Sequence, residues 1–126
     1  MQLGSIIIST SDKERMLRFY HDVLAIPFNP AGKLQSQGII IHPALHDGIH
    51  YPPVEPYRIM ITFDVADIHQ TASKLEEQGV VFIRPPEQEW WGGWIATFLD
   101  PDGNYLQLLQ PAGRDNYRHE QYEEKA

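Results

Sequence analysis

Cysteine is absent from all 126 residues, which removes disulfides, thiolate nucleophiles and cysteine-held metals from consideration. No apolar run approaches the ~18 residues needed to cross a bilayer. No basic segment leads into an apolar one near the start, so a cytoplasmic protein is expected. Positive charge is scarce too, with ten Lys and Arg against 17 Asp and Glu, a net −7. Residues 57–112 hold three basic and eight acidic side chains, and so carry −5 of that total. Without a basic stripe, neither nucleic acid nor an anionic membrane surface is an expected partner. A side-chain pair of nucleophile and base, or of two carboxylates, does not stand out anywhere.

What is present is an ordinary apolar content of 42% and a clear order of elements. Leu3 to Ser9 reads as a strand. Ser11-Asp12-Lys13-Glu14 fits a capping box with Ser11 as cap, and Met16, Phe19, Tyr20, Val23 and Leu24 follow at helical spacing, so a helix is expected over 12–24, stopped by Pro27. Residues 28–43 read as short strands ending in Ile39-Ile40-Ile41, and Pro43 to Pro56 as loop. The same order returns in the second half. Arg58 to Phe63 reads as a strand, Asp67 caps a helix that Gly79 ends, and Val80 to Ile83 is a strand stopped by Pro85-Pro86. A hairpin then closes the unit, its turn Asp100-Pro101-Asp102-Gly103-Asn104 supplied with residues suited to tight turns. Aligning Asp12 with Asp67 matches Ser5 to Met60, and the ends "IIIHPA" (39–44) and "QLLQPA" (107–112) match as well. The expected fold is therefore α+β, a single domain over 1–112 made of two βαβββ modules, 1–56 and 57–112, with a polar tail over 113–126.

The stretch "GGWIATFLDPDGNYLQLLQP" (Gly92 to Pro111) closely resembles the closing hairpin of the vicinal oxygen chelate superfamily (glyoxalase I, bleomycin resistance proteins, extradiol dioxygenases). "RFYHDVLAIPF" resembles that family's usual helix-to-strand wording. The resemblance implies paired modules forming a curved mixed sheet around one cavity. It also implies a divalent metal held by His, Glu or Gln from the first and last strand of each module. Carried over, those positions are Ser5 and Met60 on the first strands and Ile39 and Gln107 on the last. Of these only Gln107 suits a hard cation. The expectation is therefore no metal and no other cofactor. The alternative is a glyoxalase-like lyase or a dioxygenase-like enzyme, with Zn, Ni, Mn or Fe at ligands placed elsewhere. His42, His46 and His50 fall four apart, but Pro43 and Gly48 argue against the helix that would align them. His21 and His69 are expected on solvated helix faces.

Strand parity predicts a cavity lining of Ser5, Ile7, Ile39, Met60, Tyr105, Gln107 and Leu109. Arg58 shares parity with Met60 and could meet an anionic group, or form a rim ion pair. Trp90 and Trp91, beside Gly92-Gly93, suit a lid over an aromatic ligand, with Trp94 in the core. The ligand-binding set is thus Ser5, Arg58, Met60, Trp90, Trp91, Tyr105 and Gln107. The expected function is metal-free binding or sequestration of a small, flat, aromatic molecule, of bleomycin-resistance type, by a homodimer that pairs open sheet edges. The −5 of the second module favours a cationic ligand.

Overall fold

The computed structural model describes residues 1–113; beyond its first residue, the tail read from the sequence lies outside them. The described chain divides into two compact units, Met1–Val54 with Asp100–Gly103, and Glu55–Leu99 with the described residues from Asn104 to Gly113.

In the first unit, β1 (Ser5–Thr10) leads to helix α1 (Lys13–Arg18), which widens into a π-helical turn over Phe19–Val23. The cap of α1 is Asp12, one residue later than the capping-box reading, because its carboxylate accepts from Arg15 N at 3.1 Å while Thr10 Oγ1 accepts from Asp12 N. The helix ends at Ala25, whose φ is +60°. There Leu24 N donates to Phe19 O and Ile26 N to Tyr20 O, a closure that normally takes glycine. His21 is only partly solvated. Its Nδ1 donates to Ile26 O at 2.8 Å and its ring lies 4.1 Å from that of Phe28. Because Ala25 is exposed, Ala25→Gly is expected to relieve left-handed strain and raise stability by about 0.5 kcal/mol, read as a higher denaturation midpoint.

Strands β2 (Leu34–Ser36) and β3 (Ile39–Leu45) form a hairpin whose two-residue turn, Gln37-Gly38, has positive φ at both positions, the turn that matches strand twist. The sheet order is β1-β3-β2, with β1 and β3 parallel. The fourth strand expected of this module is reduced to one bridge, Phe28 to Leu34. Pro27 and Pro30 flank Phe28 and cannot donate to a ladder. Asn29 instead folds the chain into a turn, its Oδ1 accepting from Ala31 N and Lys33 N. β3 runs through Pro43, where loop was expected. β2 pairs only as far as Ile41, so β3 has a single neighbour at Pro43 and the missing N–H is tolerated. Met16, Phe19, Tyr20, Ile26, Leu34, Ile41 and Pro43 are buried here.

The second unit is the full βαβββ module: β4 (Ile61–Asp64), α2 (Ile68–Glu77), β5 (Phe82–Gln88), β6 (Trp94–Leu99) and β7 (Tyr105–Gln110), in sheet order β4-β7-β6-β5. Asp67 caps α2 by accepting from Gln70 N, and Gly79, at φ +88°, ends it. Gln110 Oε1 accepts from Ile68 N at 2.9 Å and so satisfies an otherwise orphaned donor of the first turn. β5 passes through Pro85-Pro86 rather than stopping there. It is an edge strand with register shifts between Phe82 and Glu87, where proline is admitted. α2 packs on β5, β6 and β7, burying Ile68, Ala72 and Leu75 with Ala96, Phe98, Leu106 and Leu108.

Candidate functional site

Side chains alternate across a strand, so the buried positions identify both faces of the second sheet. Ala96 and Phe98 on β6, and Leu106 and Leu108 on β7, face α2. The opposite face carries Ile95, Thr97 and Leu99 from β6 and Tyr105, Gln107 and Leu109 from β7. Register extends the pattern sideways. Thr62 of β4 is the partner of Gln107, Gln107 of Thr97, and Thr97 of Arg84 on β5. One row, Thr62–Gln107–Thr97–Arg84, therefore crosses all four strands, spanning about 14 Å at the usual strand spacing.

The row is chemically uneven. Arg84 is engaged, its Nε by Glu87 at 3.1 Å and its Nη2 by Glu89 at 2.6 Å, and the Glu89 bond foremost holds it more firmly protonated than a free guanidinium. Thr62, Thr97 and Gln107 make no side-chain hydrogen bond among the described residues. Thr97 is only 3% exposed, whereas Gln107 is half-buried. Tyr105 frames one end of the face, held edge-on against Tyr57 with ring centroids 4.8 Å apart.

Several expected site residues stand elsewhere. The strand read from Arg58 begins only at Ile61, so Arg58 lies in a turn with no strand parity, 70% exposed at its side chain and paired with Glu55 at 2.6 Å. A shallow depression of about 430 Å³ is lined by Glu55, Pro56, Tyr57 and Arg58. Met60 directly precedes β4 at its Tyr105 end, and is half-buried. Trp90 and Trp91 occupy the turn joining β5 and β6, beyond the Trp94–Gln110 pair. That pair is five residues from the Leu99–Tyr105 pair, about 16 Å along the strand. Trp90 is 59% exposed, while the Trp91 ring lies against Gly93, where an added Cβ would sit 1.8 Å from the indole. Trp94 faces α2, where the His69 ring meets it edge-on at 4.8 Å.

In the first unit, Ser5 and Ile7 lie on the exposed face of β1, Ile7 at 64% exposure. Ile39 does not join them. It shares parity with the buried Ile41 and Pro43, and the opposite face of β3 presents Ile40, His42 and Ala44. Strand pairing gives the equivalence directly. Ile6 pairs with Ile41 as Ile61 pairs with Leu106, so the counterpart of Gln107 is His42. The matching "PA" endings had suggested a register three residues off, and an odd slip exchanges the faces. His42, Thr62, Thr97 and Arg84 are the residues that sequence reasoning missed, and the spacing of buried Ile41 and Pro43 against Leu106 and Leu108 is the signal that finds His42. His46 and His50 are exposed and lie beyond or at the end of β3's loop, not on a shared helix face.

The family model of the glyoxalase/bleomycin resistance protein/dioxygenase superfamily matches residues 2–108. The chain belongs to this superfamily. A solved member from Sphaerobacter thermophilus DSM 20745 is similar at 25% identity, covering 88% of this chain and 98% of that one, with a TM-score of 0.68. The fold is shared with a superfamily enzyme from Burkholderia phytofirmans PsJN at TM-score 0.75 and 17% identity, covering 87% and 98% of the two chains. Among curated proteins, the uncharacterized protein YetH of Bacillus subtilis (strain 168) is 26% identical over 123 residues, 86% of this chain and 98% of that one.

The donor set bears on the superfamily's metal. Taken unit by unit, the corresponding positions hold a hydroxyl (Ser5) and an imidazole (His42) in the first, and a thioether (Met60) and a carboxamide (Gln107) in the second. Only His42 and Gln107 are competent ligands, none of the four is anionic, and a hard divalent ion prefers several oxygen or imidazole donors with carboxylates among them. Among the described residues no three His, Asp or Glu side chains are grouped to hold a metal. These residues do not fit the group. No helix among them is long and apolar enough to cross a membrane.

Proposed function

We propose that this superfamily member is a metal-independent small-molecule binding protein, taking its ligand around Tyr105 and Gln107 on the face of the second sheet opposite α2. The observation that carries the reading is the Gln107 carboxamide itself, half-buried, without a side-chain hydrogen bond among the described residues and so available to a ligand. The edge-on Tyr57–Tyr105 pair supplies an aromatic wall beside it, the arrangement that suits a flat organic molecule. A homodimer and a cytoplasmic setting belong to the same proposal. Ser5, Arg58, Trp90 and Trp91 lie outside the face on which it rests.

Metal titration tests it. A ligand that binds only the native state stabilises it by about 2.7 kcal/mol at a hundredfold excess over Kd. A site of micromolar affinity would therefore raise Tm by several degrees in ~0.1 mM Ni²⁺, Zn²⁺ or Mn²⁺. The expected result is no rise that depends on Gln107 or His42. A stabilisation lost in both Gln107→Ala and His42→Ala would overturn the reading in favour of a metal-dependent enzyme. A shift that survives both but vanishes in His46→Ala with His50→Ala would assign the metal to the surface loop.

A further inference from the structure

Resting on that reading, we infer that the row Thr62–Gln107–Thr97 selects an uncharged primary amide or lactam on a planar ring, rather than the cationic ligand that net charge alone favours. The three side chains are register neighbours on adjacent strands, with side chains about 5 Å apart. All three are neutral, and each can both donate and accept. Gln107, in the centre, offers an N–H and a carbonyl side by side. A ligand amide answers both reciprocally, its own N–H to Gln107 Oε1 and its carbonyl from Gln107 Nε2. The flanking hydroxyls serve the second proton and the second lone pair. Neither the Thr97 hydroxyl nor the half-buried Gln107 carboxamide has a side-chain hydrogen bond among the described residues, so both remain available to a ligand.

Charged ligands fare worse on the same row. A carboxylate answers only the donor half of Gln107 and an amidinium only the acceptor half, and either must shed water against side chains that are themselves uncharged, with Arg84 at the end of the row already engaged by Glu87 and Glu89. The acidity of the second module does not alter this. Asp67, Glu76 and Glu77 belong to α2 and its cap, Glu87 and Glu89 are engaged with Arg84, Asp100 and Asp102 lie in the β6–β7 turn, and Asp64 is exposed two register pairs beyond Thr62, opposite Leu109. Along the strands, Tyr105 and Leu109 flank Gln107 while Ile95 and Leu99 flank Thr97, so an amide docked on Gln107 lays its ring on apolar and aromatic surface.

Three probes of one shape and different charge test this on the full chain: benzamide, benzoate and benzamidinium. Binding is followed by amide-detected NMR, including the Gln107 side-chain NH₂ signals. Benzamide is expected to bind with Kd of about 1 mM, as suits a fragment of this size, and at least about tenfold more tightly than either ion. Gln107→Leu is expected to remove that preference, and Gln107→Glu, the carboxylate of nearly the same shape, to transfer it to benzamidinium. Thr97→Val should weaken benzamide alone. Melting curves establish that the variants are folded, and Thr97→Val, which deletes no partnered group, keeps the test open if the Gln107 variants are not. Equal affinities, tighter benzamidinium, or benzamide binding unchanged in Gln107→Leu or in a folded Thr97→Val would overturn the inference while leaving small-molecule binding intact. No saturable binding of any probe up to about 20 mM, beyond the range of a useful fragment, would overturn it too, with the metal titration deciding the broader reading separately.

Discussion

Asp100→Ala is expected to lower stability by about 3 kcal/mol, with a fall in Tm of about 12 °C for a chain of this size. Asp100 is 4% exposed. Its Oδ2 accepts from the Tyr20 hydroxyl at 2.8 Å, in a buried bond, and its Oδ1 accepts from Asp102 N at 2.9 Å. Truncation strands the Tyr20 hydroxyl, which has 0% exposure, and loosens the turn, which Gly103 closes at φ +86° and Arg15 holds through Asp102 at 2.7 Å. Tyr20→Phe removes the donor and is expected to cost about 2 kcal/mol, the double variant less than the sum of the two. The same bond has a signature in alkali. Burial first, and the Asp100 carboxylate next, push the Tyr20 phenol far above its ordinary range. The folded state therefore keeps a proton that the unfolded chain loses near pH ~10. The contribution is fully present below that pH and falls above it by about 1.4 kcal/mol per pH unit. Denaturation midpoints measured from pH 9 to 11 should show the decline in the native protein and a shallower one in Tyr20→Phe; parallel profiles would place the tyrosine outside this role.

Phe98→Ala is expected to cost about 4 kcal/mol, while Thr97→Val, one residue away, should change stability by less than about 0.5 kcal/mol. Phe98 is 0% exposed, stands opposite Leu106 in the sheet and lies 5.4 Å from the Phe82 ring on the face that α2 covers. Its removal leaves a cavity in the core. Thr97 faces the other way, and its hydroxyl has no bond to lose. Chemical denaturation of the two variants reads the polarity of β6 directly; similar losses at both positions would show that the face assigned to ligand is core instead.

The alternation of apolar residues and the punctuation of turns were enough to locate both helices, the closing hairpin and the outward parity of Tyr105, Gln107 and Leu109, while the superfamily came from the resemblance of the closing hairpin's wording. These features are local, since a strand's period and a cap's chemistry depend on residues within a few positions of each other. Charge composition was equally legible, but not its placement. Eight acidic side chains in the second half suggested a cation, and only their positions on α2 and its cap, beside Arg84, in the Asp100–Asp102 turn and, for Asp64, two pairs beyond Thr62 show that Thr62, Gln107 and Thr97 are neutral neighbours. Register between strands was beyond local information. Ile39 and His42 are both plausible partners for Gln107 in a string comparison, and hydrogen bonding of β3 to β1 decides for His42. The prolines at 43, 85 and 86 looked like strand ends because sequence does not say which strands lie at an edge or run past their neighbour. The chain thus carried its family and its elements in the order of its residues. The row that a ligand would meet exists only where four strands, drawn from positions 62 to 107, are held side by side, because cross-strand neighbours are set by long-range pairing and burial rather than by nearness along the chain.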